Sequence, residues 1–454
     1  MFQCEEGVYL KSKDLRGFIN ELDEAGELLR VKREVDPKFE LTAVLRKTQK
    51  TINKALLFNR IRGQMMPVVS NVLASRKMVA MALDTSQDKI MQKLVERENQ
   101  RIPVKRVTYG PCKEVIEKGE ELDLTRLPII THCEKDAGPY ITAGVLVFKK
   151  DDVGKANMSF NRMQLVSKRK LRARMMPPFS HIGYYHKKAE ESGKPLQVAV
   201  CIGNHPHIMF AASTRVPIED DELEFAGALR GDSIEVVPCE TIDVDVPADT
   251  EIVIEGKVLP NVREEEGPFG EFTDSYVTVM KNHVFEATAI THRKNAIYQT
   301  IYAGGTEDLN LVGLPVEVDV YKAVKRYVPT VKNVRMVSPF NYAVSIKKES
   351  EDNPKNAILA ALAARPVVKI CTVVDDDVNV DSAADVSWAV STRCRPDTGI
   401  YIIPTIPSYT REDVRAVHQG KVGIDATVPL EFKKTFERRK VPGEENIKLE
   451  DYLA

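Results

Sequence analysis

Residues 143–166 read AGVLVFKKDDVGKANMSFNRMQLV. Two apolar runs, Ala143–Phe148 and Met158–Val166, flank a stretch of Lys, Asp and Gly whose residue types suit a turn. The same texture recurs downstream. Leu196–Ile202, Ile208–Ala212, Ile234–Val237, Ile252–Ile254 and Phe285–Thr291 are short apolar runs separated by Gly, Pro or Asp. That spacing predicts strands of an antiparallel β-barrel or sandwich. Helical inserts are expected at His186–Gly193 and Asp220–Leu229.

On both sides of this block the pattern changes to alternating helix and strand. Upstream, Leu15, Phe18, Ile19 and Leu22 recur at helical spacing, Leu28–Val31 reads as a strand, and Glu40–Lys50 reads as a helix. Ala55–Phe58 and Val68–Asn71 read as buried strands. Downstream, helices are expected at Val316–Tyr327, Pro354–Ala364 and Ala383–Ala389, with strands at Val334–Val337, Ala343–Ile346 and Val367–Val374. A helical end is expected at Pro429–Lys440. The predicted fold class is mixed α+β with three domains: an N-terminal α/β domain over 1–112, a β-barrel domain over 113–315 and a C-terminal α/β domain with a terminal helix over 316–454. A chain of 454 residues fits that count, because single cores stop growing near roughly 250–300 residues.

Lys and Arg number 65 and Asp and Glu 66, a formal net charge of -1. This balance argues against a dedicated nucleic-acid coat or a polybasic membrane-surface protein. The seven cysteines are scattered and form no CxxC pair, so a reducing cytoplasm is the expected location. The beginning MFQCEEGVYLKSKD lacks a signal-peptide h-region. No apolar run approaches the ~20 residues of a membrane span.

Chemistry concentrates in three places. Glu264-Glu265-Glu266-Gly267-Pro268-Phe269-Gly270-Glu271 contains a Gly/Pro turn that could bring Glu266 and Glu271 to one cavity. Paired carboxylates can divide so that one holds a proton while the other stays ionised. An exposed acidic loop is the alternative. Asn157-Met158-Ser159-Phe160-Asn161-Arg162 would place Asn157, Ser159 and Asn161 on one strand face. Strict alternation sends Arg162 to the other face, unless a bulge or strand end intervenes. A solvated strand face is the alternative here. His181 and Glu222, with an amide oxygen from Asn157, would suit a divalent cation that also binds phosphate, although a lone His is commonly structural. The cationic run Lys168–Arg174 could contact phosphates or form a solvated turn. Asp375-Asp376-Asp377 could bind a cation, but the sixth-position Gly of a calcium loop is missing. No Rossmann GxGxxG or P-loop motif is present.

These residues bring out a resemblance covering nearly the whole chain. Asp14-Leu15-Arg16-Gly17-Phe18-Ile19, Gly26-Glu27-Leu28, Gly138-Pro139-Tyr140-Ile141-Thr142-Ala143-Gly144, the Asn157–Arg162 stretch, Phe225-Ala226-Gly227-Ala228-Leu229-Arg230-Gly231, Glu266–Glu271 and Gly423-Ile424-Asp425-Ala426-Thr427 together resemble the UbiD-like decarboxylases, which use prenylated FMN. The resemblance implies that the middle domain is a split β-barrel binding the flavin. It implies manganese held by Asn157, His181 and Glu222 at the flavin phosphate, with potassium beside it on backbone carbonyls. It implies a catalytic triad of Arg162, Glu266 and Glu271, and cofactor contacts from Thr142, Ser159 and Ser213. Glu271 would be the proton donor, with Phe269 or Phe272 favouring its protonated form by desolvation.

The implied reaction is reversible, non-oxidative loss of CO₂ from an aromatic, heteroaromatic or α,β-unsaturated acid. A flavin prenyltransferase would supply the cofactor, and the chain would form a homodimer or homohexamer through its C-terminal domain, with Leu430–Phe436 and the tail through Leu453 as contacts. Tyr298, Tyr302 and His418 are candidate polar contacts to substrate. Two other readings remain: a split-barrel flavin-dependent reductase, which has no need of the Glu266/Glu271 pair, and a non-catalytic binder of a phosphorylated cofactor.

Overall fold

The structure is a computed structural model and describes residues 12–150, 153–175, 180–406, 408, 420–447 and 451–452. His418, Leu453 and residues 176–179 of the linker before His181 lie outside the described residues. The fold is mixed α+β, in two compact units, one up to Val318 and one from Asp319. The division falls inside helix Thr306–Lys325. Pro315 therefore lies within a helix that begins ten residues before the expected Val316. The acidic pair Glu307 and Asp308 in its first turn suits a helix N-terminus and is the truer start signal.

The first unit opens with helix Leu15–Glu24, capped by Asp14, whose side chain accepts from Gly17 N. Its buried face is Leu15, Phe18, Ile19 and Leu22, as the spacing predicts. A four-stranded sheet follows in the order Leu28–Val31, Ala55–Phe58, Val68–Ser70, Tyr298–Gln299. Its last strand comes from after the β-rich block, so the chain returns to the first sheet once that block is complete.

The β-rich block is a nine-stranded antiparallel sheet. The two apolar runs of residues 143–166 give neighbouring strands Val145–Lys149 and Ala156–Phe160, with Val145 opposite Phe160. The ladder's centre is a pair of long strands, Ile252–Glu266 and Met280–His292. Gly256 sits at a register shift between them, where an added Cβ would lie 2.3 Å from Glu286 O. Only glycine lets the two backbones approach that closely. The inner surface is apolar, with Leu146, Phe148, Leu171, Val198, Val200, Ile254 and Phe285 all buried.

One of the expected strands is not a strand. Ile208–Ala212 lies in helix Pro206–Ser213, which is buried from Pro206 to Ala212. A short apolar run looks the same in a buried strand and a buried helix. Pro206 at the first helical position and the His205 side chain accepting from His207 N decide for helix.

The second unit is a five-stranded mixed sheet in the order Val331–Ser338, Asn341–Ile346, Ile370–Asp375, Lys421–Ala426, Ile400–Ile403, with helices Asn353–Ala364 and Ala383–Arg393. The acidic run after Ile370–Asp375 takes a cation from the chain itself. Arg393 donates to Asp375 at 2.9 Å and to both oxygens of Asp377 at 2.7 and 2.6 Å. The expected helix over Pro429–Lys440 shrinks to a single 3-10 turn at Leu430–Phe432. Phe432 and Phe436 stay exposed, so no docked apolar face offsets the cost of nucleating a helix. Among the described residues no helix is long and apolar enough to cross a membrane.

Candidate active site

Strand Ala156–Phe160 ends at Phe160, and the next strand begins at Met163. Asn161 and Arg162 form the link, so the alternation rule lapses where it would have turned Arg162 away. Ser159 Oγ donates to Asn161 Oδ1 at 2.9 Å, and Asn161 Nδ2 donates to the Arg174 carbonyl at 2.8 Å. The link is thereby fixed.

Glu266 is the last residue of strand Ile252–Glu266. The turn after it uses Gly267 at φ 98°, a conformation that favours glycine. The turn is pinned from a second segment. Asp136 accepts from Gly270 N at 2.9 Å and from Cys133 N at 2.8 Å, while Ala137 N donates to Pro268 O at 2.9 Å. Burial raises the Asp136 pKa, and these backbone donors oppose the rise.

Arg162 grips Glu266 with two parallel hydrogen bonds, Nε–Oε1 and Nη2–Oε2, each 3.0 Å. Its third nitrogen, Nη1, donates to Glu271 Oε1. Asn282 Nδ2 adds a further donor to Glu266 Oε2 at 2.7 Å. The guanidinium also lies over the Phe269 ring, 4.8 Å from its centroid, which adds a cation–π attraction. Burial opposes the Arg162 charge, but the Glu266 hydrogen bond and the charges of Glu271 and Glu266 outweigh it and raise its pKa. Tyr140 packs on Phe269. Burial, then the neighbouring Glu266 charge, pushes its phenol above the usual value. The two carboxylates differ in access: the Glu266 side chain is 1% exposed and that of Glu271 25%.

Glu271 opens into a cavity of about 280 Å³, near the lower end of the range for small-molecule sites. Thr142, Ser159 and Arg162 line it, with Phe160, Phe269, Phe272 and Ile301 as apolar walls. Arg174 and Asp308 also line it. Burial pushes the Asp308 carboxyl up to about 7, Gly304 N opposes the shift, and the Glu271 charge adds to it. Ser213 is not part of this lining. It ends helix Pro206–Ser213, and its hydroxyl bonds back to Phe210 O at 2.9 Å. Tyr298 is buried in the first sheet and Tyr302 is buried as well.

Asn157, His181 and Glu222 converge. His181 and Glu222 are the first residues of helices His181–Glu191 and Glu222–Arg230, capped by Ser180 and Asp221. Asp221 also accepts from Ala156 N at 2.9 Å, which ties the second helix to the strand carrying Asn157. His181 Nδ1 is 3.6 Å from Glu222 Oε1 and 3.4 Å from Asn157 Nδ2, which itself donates to Glu222 Oε1. Asn157 Oδ1 and Glu222 Oε2 are buried with no hydrogen-bond partner. Buried polar atoms are normally satisfied, so these two orphans fit a cation ligand set. Two helix N-termini beside them fit an anion such as phosphate. Among the described residues no group of three His, Cys, Asp or Glu could hold a metal. A metal here therefore needs the Asn157 amide and oxygens from a ligand. Lys150, fully buried, donates to the carbonyls of Ile218 at 3.0 Å and of Asp220, with Nζ 3.8 Å from Glu222 Oε2.

The cationic run is structural over most of its length. Lys170 and Arg172 share Glu264 at 2.8 and 2.9 Å, and Lys168 lies 3.1 Å from Asp123. Only Arg174 reaches the cavity lining.

Three consecutive family models match the chain: the N-terminal domain of 3-octaprenyl-4-hydroxybenzoate carboxy-lyase over residues 19–98, its Rift-related domain over 104–306 and its C-terminal domain over 309–426. The anhydromevalonate phosphate decarboxylase of Methanosarcina mazei is 40% identical over 436 residues, covering 94% of this chain and 99% of that protein. The UbiD-class enzyme HmfF from Pelotomaculum thermopropionicum, solved in complex with FMN, superposes with a TM-score of 0.92 at 39% identity, covering 97% of this chain and all of that one. An evolved dimeric form of HmfF, solved with prFMN, gives a TM-score of 0.88 at 39% identity, again over 97% of this chain and 100% of that one.

Replacing Arg162 with Leu should destabilise the first unit by roughly 3–5 kcal/mol, since it leaves Glu266 buried without its cation. Urea unfolding checks this, and an unchanged midpoint would show that the ion pair holds nothing in place. With its three matched domains and its decarboxylase relatives, the chain belongs to the UbiD family of carboxy-lyases.

Proposed function

We propose that this chain removes CO₂ from a small α,β-unsaturated carboxylic acid bearing a second anionic group, with prenylated FMN as cofactor. Anhydromevalonate phosphate, the substrate named in its relative from M. mazei, is the first candidate. The observation that carries the reading is the Glu266–Arg162–Glu271 arrangement at the wall of the cavity. A flavin-dependent reductase has no use for it.

When bound, the prenylated flavin would supply an electron sink for the carbon that loses CO₂. Asn157, His181 and Glu222 would hold a divalent ion such as manganese at the flavin phosphate, with the two helix N-termini completing the anion site. Thr142 and Ser159 would contact the ring system.

The protein's own groups divide the remaining work. Glu266 is buried, receives three donors and acts as the anchor. Arg162, fixed by that anchor, orients Glu271 and offers positive charge to a substrate carboxylate. Of the two carboxylates that Arg162 holds, Glu271 is the one with access to the cavity, and it gives the proton to the carbon vacated by CO₂. The Phe160, Phe269, Phe272 and Ile301 walls limit water around that carbon. Arg174 is a second guanidinium in the lining and supports a substrate with two anionic ends.

The direct test is CO₂ release from anhydromevalonate phosphate and from unsaturated and aromatic acids, by protein produced with a flavin prenyltransferase. Release that requires the prenylated flavin supports the reading. NAD(P)H consumption without CO₂ would favour the reductase. Glu271→Gln should lower turnover by about 10²–10⁴-fold with cofactor still bound, as measured by product formation and the flavin spectrum. Glu222→Ala should lose manganese and flavin together, by elemental analysis and absorbance. In a kcat/KM profile, activity on a doubly anionic substrate should fall as pH rises through about 7, where Asp308 gains its negative charge. Asp308→Asn should remove that limb.

A further inference from the structure

Three side chains form a hydrogen-bonded line from the interior to the cavity wall. His132 Nε2 is 3.1 Å from Thr300 Oγ1, and Thr300 Oγ1 is 3.1 Å from Thr142 Oγ1. His132 and Thr300 are buried, while Thr142 lines the cavity. The backbone N–H of Ile301 donates to Thr142 Oγ1, also at 3.1 Å.

Distances alone leave the direction of this line open, because a hydroxyl or a neutral imidazole can give or accept. The surroundings settle it. Burial pushes the His132 imidazole down to about 4, so at neutral pH the ring carries one N–H. Its Nδ1 is buried and meets no hydrogen-bond partner. A proton there would be an orphaned buried donor, which carries the full desolvation cost and is rarer in proteins than an under-used acceptor. A proton on Nε2 instead donates to Thr300. Thr300 then gives its own proton to Thr142. Thr142 thus accepts from both Thr300 and Ile301 N–H, which uses both of its lone pairs. Its hydroxyl hydrogen has no acceptor left within the line and points to the cavity.

We propose that His132 and Thr300 are positioning residues that fix Thr142 as a hydrogen-bond donor into the cavity, toward an acceptor atom of the flavin ring system. The proposal rests on the flavin reading of the cavity. A hydroxyl with a fixed direction needs no reorientation when charge accumulates on the ring, which is how preorganised donors assist a reaction. Neither His132 nor Thr300 touches the cavity contents, so both act through Thr142.

The test uses the full chain and FMN as the probe, with affinity and bound-flavin absorption as readouts and a melting curve for every variant. Thr142→Val should weaken FMN roughly two- to tenfold, the worth of one hydrogen bond, and shift the flavin band. Thr142→Ser should restore both. His132→Leu frees Thr142 to turn its proton back toward Thr300, and should reproduce part of that loss and shift. Added to Thr142→Val, it should do nothing further. Losses that multiply in the double variant, or a Thr142→Val protein that binds FMN as wild type, would overturn the proposal. A wild-type chain that binds no flavin would overturn the flavin reading and the proposal with it. NMR of the unmutated chain with labelled histidine reads the tautomer without any variant. Nε2–H supports the assigned direction, and Nδ1–H overturns it.

Discussion

One guanidinium between two carboxylates organises the first unit's chemistry. Arg162 holds Glu266 through two 3.0 Å bonds and reaches Glu271 with its remaining nitrogen. A buried Glu266 without this partner would be costly, and a free Glu271 would have no fixed direction. The pair also explains the surrounding architecture. The long strand Ile252–Glu266 delivers one acid, the strand end after Phe160 delivers the arginine, and the turn clamped by Asp136 delivers the other acid. Glu266 is placed by its strand ladder, Arg162 by a link that the Ser159 and Asn161 side chains fix, and Glu271 by a turn that the Asp136 carboxylate clamps.

The second centre works by a different principle. Asn157 Oδ1 and Glu222 Oε2 are left without hydrogen-bond partners inside the protein, beside the starts of two helices at His181 and Glu222. That combination is unfavourable in isolation, and the cation and phosphate of the proposed cofactor would relieve it together. Lys150 already supplies one positive charge beside Glu222. Ser159, two residues along the strand from Asn157, lines the cavity. Under the proposed function, a phosphorylated flavin would engage both centres through one strand, Ala156–Phe160.

Much of this is legible in the sequence itself. Apolar spacing located the helix carrying Leu15, Phe18, Ile19 and Leu22, and most of the sheet strands. The Gly/Pro turn pointed to Glu266 and Glu271 sharing a site. The misreadings share a cause: they depend on what the rest of the chain brings near. Ile208–Ala212 looks like a strand until its complete burial in a helix is seen. Pro429–Lys440 has helical residues but no docked apolar face. Arg162 is no misreading: strict alternation would turn it away, and the strand end that the sequence left open as a condition lies after Phe160. Asn282, Lys150, Asp136 and the His132–Thr300 line carry no local signal, because each matters only through a partner distant in sequence. Ser213, which the resemblance implies as a cofactor contact, donates its hydroxyl to Phe210 O of its own helix.

The central claim is that Glu271, held by Arg162, moves the proton to and from the carbon that loses CO₂. Proton transfer can be read apart from CO₂ loss by incubating flavin-loaded protein with the decarboxylated product in D₂O and following exchange of the hydrogen at that carbon. The account predicts exchange by the unmodified chain and none above background by Glu271→Gln, whose bound-flavin spectrum stays unchanged. Exchange by Glu271→Gln at the unmodified rate would contradict it and place the acid elsewhere in the cavity.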